Sequence, residues 1–283
     1  MVELEFGFNT GLGWPLTIEK GLARMAGLGV RYVEYDNVFV SQSEKSGEVE
    51  KTVKSTVSAA KSLGIRAVQI HGPFGEPDVE FSSPDPGDVE KGVERLRRWV
   101  GYTERLEAQT LILHPAMSLV RPGERFIEYV KRIRELNIRV FAELSEAAEQ
   151  SGVRIALENR LEASYGSRIP DLLDLVESLG SRRIGVCLDT GHANVNNIPA
   201  GEAVTLLGRH LFATHVHDND RSGDQHLPPL MGSVDWPRFI KAIEAVGYDR
   251  PIILEIQGHS DEAVVENRIR LASTVWHSLH KAP

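Results

Sequence analysis

Apolar positions along the chain fall into two alternating rhythms. Stretches such as TIEKGLARMAGL, VEKTVKSTVSAAKSL and VEKGVERLRRWVGYTERL carry apolar residues at helical spacing. Short apolar runs separate them, and most junctions share one design in which the helical pattern ends at glycine and a strand ending in a polar residue follows. GLGVRYVEYD, SLGIRAVQIH, QSGVRIALEN, SLGSRRIGVCLD, LLGRHLFATHVH and AVGYDRPIILEI are the clear cases. Glycine accepts the left-handed backbone position just past a helix, so each junction reads as helix, cap, strand. With the less regular VELEFGF and TLILH, strands are expected near residues 2–8, 31–36, 66–71, 110–114, 153–158, 183–189, 211–217 and 251–256.

Strands that alternate with helices form a parallel sheet, because each crossover needs a helix to bring the chain back. Eight such units in 283 residues predict an α/β protein of (β/α)8 barrel type, a single domain over 1–283. The helix-to-strand joints are short, whereas several strand-to-helix loops are long and polar: GPFGEPDVEFSSPDPGD, TGHANVNNIPAG and DNDRSGDQHLPPLMGSVD. Long loops mark the carboxyl end of the strands as the active face.

The last residues of the strands change from Val, Ile and Leu to metal-binding types: His71, His114, Glu158, Asp189, His215 and Glu255. Parallel strands set these side chains at one level around the barrel mouth, where residues distant in sequence converge. One such residue would read as a hydrogen-bonded structural group or a helix cap. Six together read differently, since crowded carboxylates in a low-dielectric mouth repel and a divalent cation keeps them ionised. The following loops add His192, His217, Asp218, Arg221, Asp224 and His226. His217 could turn to the other side of its strand, which leaves a structural role open beside a site role.

Net charge is -8, from 32 basic and 40 acidic residues, which argues against a generally DNA-attracting surface without excluding a local basic patch. Cys187, the lone cysteine, rules out an intramolecular disulfide, and its place in IGVCLD predicts a buried thiol. The amino terminus lacks a signal-peptide pattern, and no apolar run approaches the roughly 20 residues of a membrane span. A soluble, cytoplasmic protein with no membrane partner is expected; homo-oligomerisation stays open.

The ordered motifs HGPF (71–74), LILHP (111–115), ALEN (156–159), GVCLDTGHAN (185–194), HVHD (215–218), DQHLPP (224–229) and ILEI (253–256) resemble the xylose isomerase-like TIM-barrel superfamily. That group includes sugar and sugar phosphate isomerases and epimerases together with endonuclease IV. Resemblance to the epimerases implies one Mn, Co, Mg or Zn ion on Glu158, Asp189, His215 and Glu255. It also implies Glu158 and Glu255 as acid and base across an enediolate, with His71, His114, His192 and Arg221 near a small carbohydrate substrate. Resemblance to endonuclease IV instead implies additional zinc ions on His71, His114, His192, Asp224 and His226, and an abasic nucleic acid as partner. The amino-terminal third is similar to that of a sugar enzyme, with Trp14 and Glu34 as candidate sugar contacts, each with a packing or ion-pair alternative. Leu230 and Met231 depart from the usual sugar-enzyme ending. Three readings follow: a metal-dependent sugar isomerase or epimerase, a zinc phosphodiesterase, and a metal-bound sugar-binding barrel without turnover.

Overall fold

A computed structural model describes residues 4–12, 17–117, 119–161 and 164–279. It contains eight parallel strands: β1 Phe6–Asn9, β2 Tyr32–Tyr35, β3 Arg66–His71, β4 Thr110–Leu113, β5 Arg154–Glu158, β6 Ile184–Asp189, β7 Leu211–His215 and β8 Ile252–Leu254. Their order is β7-β6-β5-β4-β3-β2-β1-β8. The two ends meet through a parallel bridge from Val216 to Leu254, reinforced by Val216 N–H donating to Ile253 O at 2.8 Å. This is a closed (β/α)8 barrel, with helices returning the chain between strands.

The expected glycine caps are real. Gly64, Gly152, Gly180 and Gly247 all follow helices with φ between +60° and +75°. The first strand begins later than expected and runs on to Asn9, while His114 and Glu255 lie one residue past the ends of β4 and β8. Both still stand at the mouth, because strand pairing fixes the level of the residue that follows.

Period-two alternation divides each strand between two environments. Leu111, Leu113, Ile155, Leu157, Val186 and Leu188 join the large apolar core beneath the helices, whereas Ile112, Ala156, Cys187 and Ala213 pack together as a small separate cluster inside the barrel. Cys187 is the buried free thiol expected from sequence. The inward series continues from Ala156 to Glu158, from Cys187 to Asp189 and from Ala213 to His215. Small residues therefore fill the lumen directly beneath the polar ring. No helix among the described residues is long and apolar enough to cross a membrane.

Candidate metal centre

The inward series ends in three interlocking groups of ligand-type atoms. Atoms of Glu158, Asp189, His215 and Glu255 lie within 4.8 Å of one another, as do those of His71, His114 and Glu158, and those of His217, Asp224 and His226. Glu158 belongs to two of them. Its Oε2 stands 3.3 Å from His71 Nε2 and 3.2 Å from His114 Nε2, and its Oε1 lies 3.1 Å from His215 Nδ1. His215 Nδ1 is also 3.3 Å from Glu255 Oε2. In the third group, His226 Nε2 is 2.9 Å and His217 Nε2 is 3.6 Å from Asp224, with His192 Nε2 3.5 Å from the same carboxylate.

The imidazoles share a pattern of orientation. His71 Nδ1 donates to Gly72 O, His192 Nδ1 to Asn159 O and His226 Nδ1 to Glu255 O, each at 2.8 Å. With the outer nitrogen held by the backbone, the inner nitrogen is the one turned to the carboxylates, where it can carry a proton or, once deprotonated, offer a lone pair to a cation. Metal-binding histidines are usually fixed in this way.

Among the described residues, Glu158 Oε2 and His215 Nδ1 at the heart of the ring are buried and have no hydrogen-bond partner. Buried polar atoms left unpaired cost about 1–3 kcal/mol each. A divalent cation would satisfy both, so the residues present fit one.

The electrostatics agree. Burial alone would raise the Glu158 carboxyl, but His215 and His114 hold it well below the usual carboxylate range. Burial raises Glu255, with only partial relief from His215 and His226. His71 and His226 resist the effect of burial because Glu158 and Asp224, respectively, face them, and each is pushed up to about 9. Protons on imidazoles thus stand in for the positive charge that the carboxylates require.

The loops are built to hold this ring. Asn159 clips β5 to β6 by accepting from Asp189 N at 2.8 Å and donating to Asp189 O at 3.0 Å. Asp189 Oδ1 in turn accepts from His192 N at 2.7 Å, capping the short helix Thr190–Val195. In the loop after β7, Asp218 accepts from Asn219 N, Val234 N and Trp236 Nε1. Arg221, His226 and Leu230 take positive φ there, a conformation that non-glycine residues adopt only when their surroundings impose it.

Glu34, Arg221 and His217 fall in different surroundings. Glu34, expected against a sugar, is fully buried beneath the ring, and His215 Nε2 donates to it at 2.6 Å. Arg221 stands exposed at the rim with its Nε donating to Asn194 Oδ1 at 3.2 Å. Trp14 lies outside the described residues. His217 belongs to the third ligand group: it is fully buried, with Nε2 3.1 Å from both Asp189 carboxylate oxygens. Two residues past His215 on extended backbone is the same side, so period two itself was the available signal. Sequence reasoning missed Asn9, Gln69 and Asn219 as organisers of the site, since amides at strand ends and in loops carry no distinctive spacing.

A parallel barrel with clustered histidines and carboxylates at its carboxyl face defines the class: a (β/α)8 barrel with a candidate metal centre. The chain belongs to the xylose isomerase-like TIM barrel family, whose sequence profile matches residues 22–274. Uncharacterized protein MJ1311 of Methanocaldococcus jannaschii is 28% identical over 192 residues, 66% of this chain and 64% of that protein. The chain's match therefore spans just under two thirds of that relative's length. A ketose 3-epimerase of Arthrobacter globiformis is 27% identical over 233 residues, 80% of this chain and 75% of the relative. The crystal structure of D-psicose 3-epimerase with D-tagatose from Clostridium cellulolyticum H10 superposes with a TM-score of 0.79 at 18% identity, covering 98% and 99% of the two chains.

Proposed function

We propose that this protein is a divalent-metal-dependent epimerase or isomerase of a small sugar or sugar phosphate. The observation that carries the reading is the convergence of two carboxylates of unlike character, Glu158 and Glu255, on His215 Nδ1 at 3.1 and 3.3 Å. A cation held by Glu158, Asp189, His215 and Glu255 would polarise a substrate carbonyl and stabilise the developing enediolate charge. The chain's own residues supply the proton traffic. Imidazole neighbours keep Glu158 ionised, whereas burial makes Glu255 the readier proton carrier. Environments that drive two carboxyls apart are how acid and base roles divide within one site. His71 and His114, which flank Glu158, would meet substrate oxygens. The ketose 3-epimerase relative supports a carbohydrate substrate with a ketone beside the reacting carbon.

Deuterium wash-in from solvent at that carbon, measured on a panel of ketoses, tests the reading. Glu158→Gln and Glu255→Gln should each cut exchange and turnover by about 10²–10⁴-fold, the usual contribution of a positioned acid or base. Unchanged exchange in both variants would overturn the two-glutamate mechanism. Tight sugar binding by wild type with no wash-in would favour a binding protein.

A second reading, a zinc phosphodiesterase acting on abasic nucleic acid, is favoured by the two further ligand groups, since one-ion proton transfer needs neither. Three cations could generate a hydroxide nucleophile and neutralise a leaving oxygen. Three ions per chain, with chelator-sensitive incision of an abasic duplex at near-physiological salt, would select it over the first.

A further inference from the structure

Beneath the ligand ring lies a carboxylate that the proton-transfer scheme does not use. Glu34, on β2, has no exposed surface and is saturated with donors. Asn9 Nδ2 donates to Oε1, Gln69 Nε2 donates to Oε2 at 2.5 Å, and His215 Nε2 donates to Oε2 at 2.6 Å. Asn9 comes from β1, Gln69 from β3 and His215 from β7, so the carboxylate ties three strands together across the barrel. Gln69 Nε2 also reaches Thr214 O at 3.4 Å, which fixes the amide from the His215 side.

We infer that Glu34 is the positioning residue for His215, holding its Nε2–H so that Nδ1 presents a lone pair to a cation shared with Glu158, Asp189 and Glu255. Three other histidines of the mouth reach the same end through backbone carbonyls. His71, His192 and His226 donate Nδ1–H to Gly72, Asn159 and Glu255, and offer Nε2. His215 is reversed. It offers Nδ1, and the group behind it is a full carboxylate in place of a carbonyl dipole. A carboxylate accepting from the distal N–H makes an imidazole a stronger donor and locks ring orientation, and losing such a partner typically lowers metal affinity about 10- to 100-fold. Glu34 therefore acts on the central ion through His215, and a sugar never touches it.

The inference rests on the metal-centre reading, and the experiment separates the two. Chelator-stripped protein with ¹⁵N-labelled histidine is titrated with Zn²⁺ alone, following the assigned His215 ring signals while a chromogenic chelator competes for the metal. Wild type should show Nε2 protonated before metal, and Nδ1 shifting as metal binds. Glu34→Gln keeps shape and an acceptor oxygen but removes the charge; it should weaken the binding that moves His215 about 10- to 100-fold, with the His226 signals little changed. Equal affinity in wild type and Glu34→Gln, or a zinc-bound wild-type His215 that keeps its proton on Nδ1 and gives up the one on Nε2, would overturn the role of Glu34 alone. Absence of any His215 response to Zn²⁺ in wild type would overturn this inference together with the metal centre. The wild-type tautomer decides the matter even if the variant fails to fold.

Discussion

Stripping divalent metal and then raising the pH should weaken the folded state, and His71 sets the scale. The ring is buried, 8% exposed, and burial by itself disfavours its charge; Glu158, 3.3 Å away, outweighs that and lifts it from the ordinary 6.5 to about 9. A tenfold difference in proton affinity between folded and unfolded chains is worth about 1.4 kcal/mol, so His71 couples about 3 kcal/mol of stability to one proton. Between pH 6.5 and 9 the native state keeps that proton and the unfolded chain releases it. The stability is thus fully present below 6.5 and is lost as pH rises through about 9. His226, pushed up to about 9 by Asp224, works in the same direction. Burial lowers His114, so its opposing effect is confined below pH 6.5. Urea unfolding in excess chelator at pH 6.5, 7.5 and 8.5 should show declining stability, and His71→Gln should flatten the slope by up to about 1.4 kcal/mol for each step of one in pH. Saturating Zn²⁺ or Mn²⁺ should reverse the trend, because cations bind neutral imidazoles and gain affinity as protons leave. Metal-free stability that stays level or rises across this window, or a His71→Gln variant that tracks wild type, would refute the assignment of protons as stand-ins for the cation.

Two further perturbations probe the scaffold of the mouth. A Cβ at Gly191 would collide with the His217 ring, which cannot retreat, being fully buried and stacked 4.1 Å from His226. Gly191→Ala should cost about 1–3 kcal/mol and displace His217 from Asp224 and His226; thermal unfolding checks the first, and under the three-ion reading the loss of one counted ion per chain checks the second. Asp78→Asn would take a carboxylate from the buried Arg160 guanidinium, now bonded at 2.8 and 3.0 Å, in a bridge that ties the helix Glu76–Ser82 to the end of β5. The expected loss, near the lower end of about 3–5 kcal/mol because Asp78 keeps some exposure, is read by urea unfolding, and a change below about 1 kcal/mol would show the bridge to be idle.

Six strand ends could be read as a ring because parallel pairing and period-two alternation are rules of backbone geometry that the order of residue types alone reveals. The same rules fail where the ladder slips. Pairing of β2 with β3 is irregular between Val33 and Glu34, so Val33 faces Ala67 but Glu34 faces Gln69. That one-residue offset sets the carboxylate beside an amide donor and beneath the ring. No pattern in YVEYD distinguishes this from a rim position open to a sugar. A second slip, between Val186 and Cys187, puts Asp189 directly opposite His215 and so brings ligands of β6 and β7 to one level. Here too the residue types were legible and the alignment was not. The loop after β7 was opaque for a different reason: its shape depends on Asp218 gathering three donors and on Gly232, where a Cβ would run into Asn219 O. Such contacts have no period. Sequence periodicity thus identifies which residues can reach a cation, whereas ladder slips and closed hydrogen-bond networks decide which of them present a lone pair to it. That division is why Glu34, with the right chemistry for a substrate contact, lies fully buried against Gln69 and His215.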